Sequence, residues 1–248
     1  AADCAEKGGV ITRDDLADYR VERREPVVFR SRGARVAINP PPSPGRCLVA
    51  FALGVMSDWD SGSAEWGGVD HMRYLLRGMR AASVARHDFS MEGGLDGETM
   101  GRLLDEATIS DWRRSLELHS LFSRGTTHIS VADSAGNIAS LTASNGEGCS
   151  YVLPGTGIML NNMLGEEDLH PAGFNRWKVG ARLTSMMSPA IAEKPDGTRF
   201  ALGSGGSNRI RSAITQVLVN LLDFEMAPGE AVAAPRIHLE GPLLSSEP

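Results

Sequence analysis

A threonine placed directly after a glycine, at the leading edge of a run of alternating β-branched residues, is where this sequence holds most of its chemistry. The run is Gly125-Thr126-Thr127-His128-Ile129-Ser130-Val131-Ala132-Asp133. A threonine hydroxyl is a weak nucleophile and needs an adjacent base. Inside a continuous chain Thr126 has none. Once the bond between Gly125 and Thr126 is cut, the new α-amine, with an unperturbed pKa of about 7.7 to 8.0, supplies one. The preceding glycine tolerates backbone conformations that a side chain forbids, which suits a bond that must be attacked by its neighbour. Taken alone, Gly-Thr-Thr at the start of a strand is also ordinary β propensity.

A second group with chemical capacity is Gly203-Ser204-Gly205-Gly206-Ser207, which joins an expected strand to an expected helix. Backbone N–H groups at a helix N-terminus attract negative charge, so the turn suits either an oxyanion or a phosphate. No Lys-Ser or Lys-Thr follows the glycines and the spacing is not GxGxxG, so a nucleotide loop is poorly supported. The six histidines show no HxxxH spacing, and Cys4, Cys47 and Cys149 contain no CxxC pair. No metal site and no cofactor are therefore expected. The acids Glu166, Glu167 and Asp168 read by themselves as a solvated turn or helix start.

The elements that must hold these groups follow from periodicity. Thr127, Ile129 and Val131 alternate with His128, Ser130 and Ala132, and the alternation resumes over residues 138–144 after the breaker Ser134-Ala135-Gly136-Asn137. That predicts a β-hairpin. With a three-residue loop Asp133 faces Asn137 and Thr126 lies opposite Ser144; with a two-residue loop Thr126 lies opposite Asn145. Either pairing gives the threonine a polar neighbour across the ladder.

Elsewhere, Thr12 is a candidate N-cap for a helix over 13–19. Short strands are expected at 27–29 and 34–38, around Ser31-Arg32-Gly33. A proline-rich break at 40–45 precedes an apolar stretch over 47–56. Met72, Leu75, Leu76 and Met79 mark an amphipathic helix over 69–86. Residues 89–121 are richer in charge and glycine, with helical pieces around 100–107 and 109–118, and suit a linker that moves away after cleavage. Residues 146–150 are expected as a flexible loop and 158–160 as a short strand. A hairpin is expected around Pro195-Asp196-Gly197, then a helix over 208–224 with Ile210, Ile214, Val217, Leu218 and Leu221 on its apolar face. A short helix over 226–235 and a strand over 236–240 close the chain.

With 248 residues, 42% hydrophobic and 23% charged, the chain can bury a sizeable core, and it shows no repeat or low-complexity tract. A net charge of −6 gives no reason to expect nucleic acid or an anionic membrane as partner. The odd cysteine count favours a reducing compartment such as the cytoplasm, and no signal peptide opens the sequence.

Three motifs appear in one order: Thr126-Thr127-His128 with Ser130-Val131, Asp133 and Gly136-Asn137; then Gly157-Ile158-Met159-Leu160-Asn161-Asn162-Met163; then Gly203-Ser204-Gly205-Gly206-Ser207. Together they closely resemble the γ-glutamyltranspeptidase family of N-terminal nucleophile hydrolases. The resemblance covers essentially the whole chain, with residues 1–125 similar to the later large subunit and its linker, and 126–248 similar to the small subunit, together one domain. It implies an α+β fold, an αββα sandwich of two stacked, mainly antiparallel sheets between helical layers, with an N-terminal portion missing. It implies self-cleavage between Gly125 and Thr126, then attack of Thr126 on a γ-glutamyl amide such as glutathione through an acyl-threonine intermediate passed to water or an acceptor amine. Ser144, where the family commonly has threonine, would orient the nucleophile, and Gly205 and Gly206 would hold the oxyanion. By the same resemblance Asn145 serves the amine end of the substrate, Glu166 its α-amino group, and Thr184 and Ser185 its α-carboxylate.

Met163 stands where the family often has Gln or Glu, and the family's carboxylate-clamping arginine belongs to the missing portion. Those departures favour, as an alternative, a member reassigned to another acyl group, such as a β-lactam side-chain amide or a bond of secondary metabolism. A non-catalytic remnant is a further alternative. Family resemblance also admits a periplasmic or secreted location, and the uncut chain alone is expected to be inactive.

Overall fold

The computed structural model describes residues 1–40, 44–59, 64–91, 101–102, 104–105, 107–109, 126–166, 169–170, 173–174, 176, 180, 182–241 and 243–247. Helix α1 (Ala2–Glu6) and helix α2 (Arg13–Asp18) come first. The start of α2 is fixed by a reciprocal cap: Asp15 N–H donates to Thr12 Oγ1 at 3.1 Å, and Thr12 N–H donates to Asp15 Oδ2 at 2.7 Å. Strands β1 (Val27–Ser31) and β2 (Ala34–Ile38) pair antiparallel around Arg32 and Gly33, whose φ values are 50° and 77°. Positive φ at both central residues gives the tight hairpin its twist, and arginine is an unusual occupant. It is held there by an ion pair from Nε to Asp223 Oδ1 at 2.5 Å and by Nη2 donating to the Trp59 carbonyl at 2.6 Å.

Helix α3 (Pro44–Val55) is apolar from Cys47 onward, and Leu48, Val49, Phe51 and Val55 are wholly buried. It lies against helix α4 (Val69–Met91), where Gly78 permits a close approach: a Cβ there would stand 2.2 Å from Met56 Sδ. The expected stripe on α4 is present, with Leu75 and Met79 buried, although the helix runs on to Met91. The expected linker over 89–121, including the helical pieces, lies largely outside the described residues. Strand β3 (Thr127–Ala132) and strand β4 (Ile138–Ala143) form the predicted hairpin. Strand β5 (Ala190–Glu193) and strand β6 (Arg199–Leu202) form the other, and β5 joins β2, giving an antiparallel sheet ordered β1-β2-β5-β6.

Helix α5 (Arg209–Leu222) is buried on more faces than its apolar stripe announces, because Arg211, Ser212, Thr215, Gln216 and Asn220 are buried as well. Several of their partners come from late in the chain: Gln216 bridges the Ile237 backbone in both directions, at 2.7 and 2.9 Å, and Ser212 Oγ lies 2.7 Å from His238 Nδ1, whereas Arg211 donates to Ser83 and Asn220 accepts from Trp66. Helix α6 (Pro228–Ala233) is shorter than the predicted span. Strand β7 (Ile237–Glu240) pairs with an unanticipated strand β8 (Leu243–Ser246). One core unites Val36 and Ile38 of β2, Ala190 and Ala192 of β5, and residues of α3, α4 and α5. The architecture is α+β with antiparallel sheets, and none of the described helices is long and apolar enough to cross a membrane.

His71 on α4 is 2% exposed, near the Trp59, Trp66 and Phe224 rings, and its Nδ1 accepts the Gly67 N–H at 2.9 Å. Burial pushes its pKa down from 6.5 to about 4. The folded chain therefore refuses a proton that the unfolded chain accepts. Stability is full above pH 6.5 and drains away as pH falls from 6.5 to 4, by up to about 3 kcal/mol. Urea unfolding of His71→Gln, which keeps an acceptor for Gly67, should show a much flatter loss of stability over that interval. An unchanged slope would assign the acid sensitivity to other groups.

Candidate active site

Thr126 stands one residue ahead of β3; Gly125 lies outside the described residues. The ladder pairs Thr127 with Ala143 and Ala132 with Ile138. Asp133 N–H donates to the Asn137 carbonyl at 3.0 Å, which closes the three-residue loop and sets Thr126 opposite Ser144. The Thr126 hydroxyl donates to Ser144 Oγ at 3.4 Å, long for a pair of hydroxyls. The alternative pairing with Asn145 does not occur. At the tip the Asp133 carboxylate accepts from Asn137 Nδ2 and from the Asn137 and Ala135 N–H groups at 2.8 to 2.9 Å. Those bonds, Asn137 foremost, hold its carboxyl below the usual carboxylate range.

Ser144 Oγ also accepts the Gly146 N–H at 3.0 Å. The following segment is anchored rather than loose. Asn145 donates its side-chain amide to the Met159 carbonyl at 3.2 Å, its own carbonyl accepts from Gly148 and Asn162, and Glu147 N–H donates to Asn162 Oδ1 at 2.9 Å. Residues 158–160, expected as a strand, make only a bridge between Met159 and Val152. Backbone groups there are used by this neighbouring loop instead of by a sheet.

Glu166 is buried and lies against the same segment: a Cβ on Gly146 would stand 1.8 Å from Glu166 Oε1 and 2.2 Å from Asn162 Oδ1. The carboxylate is thus placed beside the residue that bonds Ser144. Glu167 and Asp168 lie outside the described residues. Thr184 and Ser185 are half-buried in an irregular segment ahead of β5, not in a strand. Arg182 is held by the N-terminal segment, with Nη2 donating to the Arg20 carbonyl at 2.7 Å and Nε 3.1 Å from Glu22 Oε1.

The glycine turn meets Thr126 directly. A Cβ on Gly205 would stand 2.6 Å from the Thr126 carbonyl oxygen, 3.1 Å from its Cβ and 3.2 Å from its nitrogen. Among the described residues neither the Gly205 nor the Gly206 N–H has an acceptor. Gly206 has a φ of 112° and leads through Ser207 into the first turn of α5, where its carbonyl accepts the Arg209 N–H at 3.1 Å and the helix dipole adds positive potential. The exit of the turn is fixed by Asn208, which accepts from Arg86 Nη1 and donates to Glu240 Oε1, both at 2.6 Å. Sequence reasoning did not foresee this anchor, nor the placement of His128 against Gly203. The repeated glycines at 203 and 205, two apart like Thr126 and His128, were the available signal.

Among the described residues no group of three histidine, cysteine or acidic side chains is placed to hold a metal ion.

A profile of the family described as Gamma-glutamyltranspeptidase matches residues 1–245. The Acylase ACY 1 proenzyme of Pseudomonas sp. (strain SE83) is 34% identical over 255 residues, covering 98% of this chain and 46% of that protein. The glutathione hydrolase proenzyme of Escherichia coli (strain K12) is 28% identical over 264 residues, covering 96% and 46%. The crystal structure of cephalosporin acylase from Bacillus halodurans superposes with a TM-score of 0.82 at 26% identity, over 100% of this chain and 47% of that one. The chain spans about half the length of the curated relatives it matches. Motif order, the meeting of Thr126 with Gly205, and a profile match running almost end to end agree, and the chain belongs to the γ-glutamyltranspeptidase family.

Proposed function

We propose that the parent polypeptide is a self-processing threonine amidohydrolase and acyltransferase, with Thr126 as nucleophile. One observation carries this reading: Thr126 bonds Ser144 through its hydroxyl while its backbone and Cβ stand against Gly205, in a turn where, among the described residues, the Gly205 and Gly206 N–H groups have no acceptor. In processing, Thr126 Oγ attacks the Gly125 carbonyl and the peptide nitrogen leaves as the α-amine of Thr126. Water then hydrolyses the resulting ester, leaving a Gly125 carboxylate. In turnover the freed α-amine accepts the hydroxyl proton as Oγ attacks the substrate amide. Gly205 and Gly206 donate to the tetrahedral oxyanion, the kind of contact whose removal costs about 10²- to 10³-fold in rate. The intermediate collapses, the leaving amine takes the proton back, and water or an acceptor amine releases the acyl group. Two stacked sheets between helical layers, with the second helical layer supplied by the rest of the protein, are the frame this reading assumes.

The substrate we assign is a γ-glutamyl amide, with Glu166 receiving the α-amino group and Thr184 and Ser185 the carboxylate. The buried position of Glu166 beside Gly146 supports the first of these roles. A second reading keeps the chemistry and changes the acyl group. It is favoured by Met163, by the engagement of Arg182 with Glu22, and by the acylase name of a relative at 34% identity. Mass spectrometry of the parent polypeptide should find two chains, the second beginning at Thr126. A panel of γ-glutamyl and β-lactam side-chain amides then separates the substrates. Turnover by a polypeptide that stays in one piece would defeat the mechanism.

A further inference from the structure

The glycine turn and the start of β3 touch at two points, not one. Thr126 lies against Gly205, and two residues further along each segment, in opposite directions, His128 lies against Gly203. A Cβ on Gly203 would fall 2.1 Å from His128 Nδ1, 2.4 Å from Cε1 and 2.6 Å from Cγ, so the ring fills the space a side chain would need. Neither Gly203 nor Gly205 has a positive φ. Glycine is required at both positions for room, not for backbone freedom.

The imidazole is fixed from both ends. Its Nδ1 is 2.8 Å from Thr142 Oγ1 on β4 and its Nε2 is 2.8 Å from Ser130 Oγ on β3. Each hydroxyl can donate or accept, so a neutral ring satisfies both bonds in either tautomer. Burial lowers its pKa from the ordinary 6.5, which favours that neutral form. A ring tied at both nitrogens cannot swing aside, and its surface becomes a fixed stop for the Cα of Gly203. A further bond, from Ser140 Oγ to the Leu202 carbonyl at 3.2 Å, pins the residue just before the turn to the same hairpin.

We propose that His128 is a positioning residue of this site, a spacer that sets the height of the Gly205 and Gly206 donors over the Thr126 hydroxyl through its contact with Gly203. This rests on the reading of Thr126 as nucleophile. The ring takes no proton in the reaction. It works because a misplacement of about 1 Å between reacting groups costs on the order of 10²-fold in rate.

The test is a double-mutant cycle in the parent polypeptide, with kcat and KM expressed per cleaved chain and thermal midpoints measured alongside. His128→Ala should lower kcat about 10-fold and Gly203→Ala about 30-fold or more, with KM within about twofold of the wild type, as expected for lost alignment. The double variant should be no slower than His128→Ala, because removing the ring frees the room that the new methyl needs. His128→Asn, which keeps a polar group near Nδ1, should recover part of the loss. The pH profile of kcat should keep its shape throughout. Should Gly203→Ala fail to fold, the double variant should fold, and its failure to do so would refute the contact. Costs that multiply, or a His128→Ala enzyme within twofold of wild-type kcat, would overturn the proposal, as would a fall in thermal midpoint with kcat unmoved. A wild-type polypeptide that is neither cut before Thr126 nor active would instead remove the nucleophile reading, and this proposal with it.

Discussion

Thr126→Ala in the parent polypeptide is expected to leave one uncut chain and to lower amide turnover by about 10⁴-fold or more, as loss of a nucleophile does elsewhere. Both effects have one origin. In the proposed mechanism the hydroxyl opens the Gly125 bond, and the amine released by that opening is the only base called on. Ser144, 3.4 Å away, cannot take over, because its own oxygen is occupied by the Gly146 N–H and no amine accompanies it. Thr126→Ser should keep both functions at reduced rate. Gel and mass analysis of the three proteins, with turnover per molecule, decides the matter. An alanine variant that still splits at this bond, or still consumes substrate, would contradict the assignment.

Gly205→Ala is expected to cost about 10²-fold or more in kcat and to slow self-cleavage. The added methyl would stand 2.6 Å from the Thr126 carbonyl oxygen and 3.2 Å from its nitrogen, and backbone atoms cannot rotate out of the way. Either the glycine turn or the head of β3 must move, and each carries half of the proposed machinery. Global stability should change little, because Gly205 is exposed. Gly229→Ala is the control, since nothing lies within 4 Å of the position its Cβ would occupy. Calorimetry and kinetics on both variants separate lost alignment from lost folding. Equal kinetics for the two would show that the contact between Gly205 and Thr126 does not matter to catalysis.

Local signals in the sequence reached as far as local causes do. The pairing of Thr126 with Ser144 was one of two alternatives readable from alternation and loop length, and the asparagine-aspartate tip decided between them. The cap at Thr12 and the stripe on α4 were legible for the same reason, as they depend on residues three or four apart. Residues 158–160 misled because β-branched and apolar composition cannot say whether a partner strand exists, and here a loop takes its place. Strand β8 was hidden by Pro242, which interrupts the pattern just before it. The burial of Arg211, Ser212 and Gln216 in α5 depends on groups more than twenty residues away, such as His238 on Ser212 at 2.7 Å. The same distance in sequence concealed the packing of His128 on Gly203, although each residue was in plain view.

The hairpin tip has an influence out of proportion to its exposure. Seven residue steps at about 3.4 Å each separate Asp133 from Thr126, so the tip stands about 24 Å from the proposed attacking group. Yet its carboxylate, folded back on three N–H donors, holds the loop length that decides which side chains of both strands turn inward. A slip of one residue there would trade inside for outside all the way down. A lesion in open solvent, touching nothing that reacts, would disarm the threonine at the far end.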